Sequence, residues 1–205
     1  MHSGWGVLVA ISGEADSIEM IGRRRIVITD PSIPGAKQPY HHAASLGLQK
    51  SENYLANCTA VSERLALAAV GDVVRELEVR QYRIVGAAIL LASGRPLPPL
   101  SNILASHPLI HTAEGEFFRD GVRKACEQLE ISVTTIRERD LDEQAKTVFG
   151  SAANRVRTRI SSLGSSIGPP WTKDHKSGAL AASIVLAREQ NLRTPAVTAQ
   201  ATKSR

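Results

Sequence analysis

The stretch Tyr82-Arg83-Ile84-Val85-Gly86-Ala87-Ala88-Ile89-Leu90-Leu91-Ala92 decides how the chain is read. It is apolar almost throughout and has no polar stripe of the kind a surface helix carries. A strand buried on both faces needs that pattern. The run therefore predicts a parallel strand in the middle of a sheet. The segments on either side have the period of helices. Before it, Tyr54/Leu55, Cys58, Val61, Leu65, Ala68/Ala69 and Val73 recur at helical spacing from Ser51 to about Leu77. After it, Phe118, Val122, Ala125/Cys126 and Leu129 mark the buried face of a second helix, with Thr112 as its expected N-cap and Glu114 and Glu116 in the first turn. Ile131 to Ile136 then alternates as a further strand.

Working outward, Trp5 to Ser12 is a short apolar run ended by Gly13, and Ser17 to Thr29 predicts one or two more strands with a turn near Gly22. Residues 30–40 hold Pro31, Pro34, Gly35 and Pro39 and are expected to be loop, as are the Pro- and Ser-rich residues 93–110. Asp140 is the expected cap of a helix carried by Leu141, Ala145, Val148/Phe149, Val156, Ile160 and Leu163 to Gly164. A last helix opens at Asp174 or Ser177 and runs through Ala179-Leu180-Ala181-Ala182. Residues 1–189 read as a single domain, and 190–205, which lack an apolar face, as a flexible tail.

Strands first, then alternating helices and strands, predict an α/β fold: a mixed sheet with helices on both faces. Hydrophobic residues make up 42% of the chain and aromatic ones only 4%, so the core must come from Val, Ile, Leu and Ala. Cys58 and Cys126 have no partners at metal-ligand spacing and read as reduced core thiols. No run reaches the length of a membrane span. Met1 to Gly6 lacks the basic-then-apolar order of a secretory leader. The expected address is the cytoplasm, with no membrane partner.

The net charge of +5 is uneven: residues 151–205 hold nine Lys/Arg against Asp174 and Glu189. A basic end on a near-neutral body suits a polyanionic partner, nucleic acid first.

The chain order resembles the ribonuclease H-like superfamily, in which three antiparallel strands precede alternating helices and parallel strands. Residues Gly150-Ser151-Ala152-Ala153-Asn154-Arg155-Val156, then Pro169-Pro170-Trp171 and Asp174-His175-Lys176-Ser177-Gly178-Ala179-Leu180-Ala181, resemble the end of RuvC-type Holliday-junction resolvases. The resemblance implies carboxylates converging on Mg²⁺ or Mn²⁺ for phosphodiester hydrolysis, and a homodimer. The sequence departs from that pattern. The first strand has no Asp, Ala87 and Ala88 stand where a middle-strand Glu is expected, and Gly178 stands where the last Asp is expected. Reading Ile26 to Pro31 as the first strand instead would make Asp30 the metal ligand, at the expense of the second and third strands.

The expectation is therefore a divalent-metal-dependent nuclease or phosphoesterase with an atypical site, or a degenerate relative that binds nucleic acid or acts in assembly. In the first case Asp174 and Glu114 are the main metal carboxylates, with Glu63 or Glu116 assisting. His111 and His175 would move protons. Trp171 would stack on a base, and Lys173, Lys176, Arg155 and Arg159 would meet phosphates. The pair His41-His42 lies on a loop, where adjacent side chains diverge, so one at most can join a site. No Gly-x-Ser-x-Gly, P-loop or Gly-x-Gly-x-x-Gly occurs.

Overall fold

Trp5–Ser12 (β1) and Glu19–Val27 (β2) form an antiparallel hairpin in the computed structural model, which describes residues 1–92 and 94–193. The short helix α1 (Pro39–Ala43) and the long helix α2 (Leu48–Val79) follow. Then come β3 (Ala87–Leu91), α3 (Leu100–Leu104), α4 (His107–Gln128), β4 (Val133–Arg137), α5 (Leu141–Phe149), α6 (Ala153–Ile167) and α7 (Lys173–Arg193).

The strands separate two cores by simple alternation of side chains. On one side Leu8, Ile26, Ala87 and Val133 meet α2 and α4 through Ala66, Val70, Phe118, Ala125 and Cys126. On the other, Val9, Ile11, Ala88, Leu90 and Ile136 meet α5, α6 and α7 through Ala145, Val156, Ile160, Leu180 and Ile184. A third, smaller cluster of Ile103, Ile110 and Ala113 lies under Tyr40 and Leu97, where α1, α3 and the start of α4 come together.

The expected ribonuclease H-like mixed sheet, with three N-terminal antiparallel strands, is not what the chain forms. The described residues hold four short strands in two separate pairs, β1 with β2 antiparallel and β3 with β4 parallel. Two local causes account for the difference. The run from Ser17 to Thr29 does not turn at Gly22: β2 passes straight through, Gly22 pairs with Ala10, and the irregularity is absorbed as a register shift between Ala10 and Ile11. The hairpin thus has two strands where three were expected. The apolar run from Tyr82 becomes a strand only at Ala87, so β3 is five residues long and pairs with β4 alone. Helix α7 packs against both β1 and β3, with Gly178 beside Val9 and Gly86 beside Val185.

The helix expected from Leu141 to Gly164 is interrupted at Gly150, whose φ of +54° ends α5, and a short 3₁₀ turn leads into α6. The tail expected at 190–205 begins inside α7, which reaches Arg193; residues 194–205 lie outside the described residues. Cys58 and Cys126 are both free and buried. Among the described residues no helix is long and apolar enough to cross a membrane.

Candidate metal centre

Helix α1 is held in place from both ends. Ser51 Oγ, at the start of α2, donates to the carbonyls of Ala43 (2.6 Å) and Gly47 (2.8 Å), and Tyr54 Oη donates to Pro34 O at 2.7 Å. These bonds tie α1 to α2, and the His41 N–H bond to Glu114 and the Tyr40–Phe117 edge contact set it against α4. Helix α4 starts earlier than Thr112. Ser106 is the N-cap, His107 the first helical residue and Pro108 the second, positions where a missing N–H goes unmissed. Thr112 is not a cap but donates back to Pro108 O at 3.0 Å.

With the helix beginning at 107, His107 and His111 stand four residues apart on one face. Their rings meet at a centroid distance of 4.5 Å. From α1, the ring of His41 reaches both, at 5.4 Å from His107 and 4.7 Å from His111. One nitrogen of each ring lies within 4.8 Å of the others, a separation at which three imidazoles can share a cation. Three nitrogens bound tetrahedrally to zinc at about 2.0–2.1 Å stand about 3.3 Å apart, so ring rotations of an ångström or so close the triad on an ion. His107 and His111 are exposed and His41 half-buried, so a fourth position faces solvent.

Glu114 lies one turn further along α4, buried behind this triad. Its Oε1 accepts a hydrogen bond from the backbone N–H of His41 at 3.1 Å. The same oxygen lies 2.9 Å from His41 Nδ1, out of line for a full hydrogen bond. A turn of the ring that brought Nδ1–H onto this oxygen would leave Nε2 its lone pair for an ion, the arrangement that orients metal-bound histidines. The Glu114 carboxylate also counters the positive end of the α4 dipole, which opposes a cation there by about 0.3–1 kcal/mol.

The donor set decides the chemistry. Mg²⁺ and Mn²⁺, expected from the sequence, take oxygen ligands. Three imidazoles suit Zn²⁺, Cu²⁺, Ni²⁺ or Fe²⁺. Among the described residues this is the one group of three or more His, Cys, Asp and Glu side chains close enough to hold a single ion.

The other residues singled out from the sequence have other partners. Asp174 Oδ2 is 2.8 Å from His2 Nε2, at the surface. Glu63 pairs with Lys124 at 2.5 Å across α2 and α4. His175 is buried, and its Nδ1 bonds the Thr172 hydroxyl at 2.8 Å, closing the first turn of α7. Burial, with help from Arg23, pushes its pKa down. Trp171 fills the space over Gly164 and donates from Nε1 to Ile160 O at 2.9 Å, so its ring is part of the packing. Arg23 braces the same loop by donating to the carbonyls of Ile167, Gly168, Pro169 and Pro170. Arg155 pairs with Asp16 and Arg159 donates to Ile18 O, whereas Lys173 and Lys176 are exposed at the start of α7. Of the expected set, the structure brings Glu114 and His111 together, and adds His41 and His107.

The Pro- and Ser-rich stretch 93–110 predicts a loop, which hides His107; in the structure Pro108 sits in the first turn of α4. The signal was present as His-x-x-x-His, which becomes one face only once the proline is placed in a first helical turn. The chain matches no protein-family model, no curated protein sequence and no solved structure.

Proposed function

We propose that this protein binds one borderline divalent transition ion, zinc first, on His41, His107 and His111, and uses it as a Lewis acid in hydrolysis. The observation that carries the reading is the convergence of the three rings, with the buried Glu114 carboxylate against one of them. Three-histidine zinc sites with a solvent-facing fourth position hold a water whose pKa falls to about 7, which makes hydroxide available at neutral pH. An ion held by His41, His107 and His111 would in this way supply the nucleophile and polarise a phosphoryl or carbonyl oxygen. The net charge of +5 favours an anionic substrate, so phosphoesters are the first class to try. Buried, reduced Cys58 and Cys126 suit a reducing cytoplasm.

A second reading makes the ion a structural cross-link between α1 and α4 and leaves function to a nucleic acid held by the exposed Lys173 and Lys176. One experiment separates the two. Zinc is titrated calorimetrically into wild type, His107→Ala and His111→Ala, and zinc-loaded protein is assayed on bis(p-nitrophenyl) phosphate and p-nitrophenyl acetate. One zinc per chain, lost in both variants together with hydrolysis, supports the first reading. Binding without hydrolysis supports the second. Zinc binding unchanged by either substitution overturns the site.

A further inference from the structure

A cavity of about 130 Å³ lies between α2 and α4, behind α1. Ser62 on α2 lines it, is only 3% exposed, and its hydroxyl has no hydrogen-bond partner. A buried hydroxyl without a partner is uncommon and calls for something in the space beside it. Facing it on α4 is Gly121, where an added Cβ would stand 3.2 Å from Ser62 Oγ, so the close approach that leaves the space open depends on the glycine.

The rest of the lining states the ligand's chemistry. Glu63 and Asp120 at the rim are neutralised by Lys124 and Arg123. Glu116 also lines the cavity and has no partner among the described residues. Tyr40 closes another side. Tyr40 and Phe117 present rings in an edge contact at 6.2 Å, and Leu97 completes an apolar wall. The site therefore offers oxygen acceptors, one uncompensated carboxylate and aromatic faces.

We infer that this cavity binds the ammonium end of a short alkylamine, with Glu116 as counter-ion, Ser62 Oγ and Tyr40 Oη as hydrogen-bond acceptors, and Leu97 and Phe117 against the methylenes. A primary ammonium has three donors to spend and gains from aromatic faces. The volume holds roughly four waters at about 30 Å³ each, which is the bulk of such a group. A metal ion does not fit this site: its carboxylates do not converge within reach of one ion, as the three histidines do.

The inference stands apart from the metal centre and is tested with EDTA present, so that failure of either leaves the other intact. The full chain is titrated with n-butylammonium chloride at constant ionic strength and followed by ¹H–¹⁵N NMR, with butan-1-ol and sodium butyrate as controls. Saturable shifts centred on the amides of Ser62, Glu116 and Gly121 are expected with the amine alone. Glu116→Gln, at a partly exposed position that tolerates the change, should weaken binding at least fivefold. Gly121→Ala should weaken it by filling the space. Equal shifts with butan-1-ol, no saturable shift with the amine, or an affinity unchanged in Glu116→Gln would each overturn the site and leave a cavity that holds solvent only.

Discussion

Replacing Glu114 by Gln isolates the part of the metal centre that the triad alone does not explain. The side chain is 9% exposed and the His41 ring 27%, so the contact between them is largely withdrawn from water. Glutamine keeps an acceptor for the His41 N–H, at 3.1 Å in the native chain, and so preserves the position of α1. It removes the negative charge 2.9 Å from His41 Nδ1. Loss of such an outer carboxylate weakens metal affinity by about 10- to 100-fold, or about 1.4–2.8 kcal/mol. Losing a histidine ligand should weaken it far more. The assay is competition for Zn²⁺ against a chromophoric chelator at pH 7.5, run on wild type, Glu114→Gln and His111→Ala, with circular dichroism to establish that each is folded. Affinity in folded Glu114→Gln equal to wild type would refute the argument that Glu114 orients the triad.

Further predictions concern the scaffold. Phe118→Ala, at a site only 2% exposed, should cost about 3–5 kcal/mol in urea unfolding. Gly164→Ala should destabilise the fold and alter Trp171 fluorescence, because the new Cβ would stand 2.4 Å from the indole unless the ring moves. His175 has its folded pKa lowered by burial, so the unfolded chain takes up its proton first. The stability it provides is therefore present above about pH 6.5 and declines as pH falls from there through the lowered folded value. The difference in urea midpoint between pH 7.5 and 5.5 should shrink in His175→Gln. Cys126, whose thiol burial pushes up to about 11, should react with a disulfide reagent at pH 8 only as fast as the protein unfolds.

Much of the helical framework was legible because burial imposes its period on the sequence. The faces carried by Phe118 and Ala125, and by Val156, Ile160 and Leu163, follow directly from spacing; on α2 the spacing finds Leu55 and Cys58, but the buried stripe continues through Ser62, Ala66 and Val70 rather than Leu65 and Val73. The strands were less so. An apolar run such as 82–92 states that a segment is covered, not which of its residues pair, and the pairing starts only at Ala87. Gly22 reads as a turn in one dimension, but a glycine opposite a register shift in a hairpin serves equally well. Part of the candidate centre was also visible: His111 and Glu114 share a helix, and His41 stood out beside His42. Their convergence was not, because it depends on α1 folding back onto α4 and on Pro108 occupying a first helical turn. Asp174 and Glu63 drew attention as carboxylates on helices, yet the fold engages them with His2 and Lys124.

X-ray absorption at the zinc edge, on protein loaded with one equivalent of Zn²⁺, tests the central claim most directly. Nitrogen or oxygen scatterers are expected at about 2.0–2.1 Å, with the longer-range pattern of three imidazoles falling to two in His107→Ala. A shell containing sulfur, an oxygen-only shell, or protein that retains no zinc through gel filtration would contradict that claim.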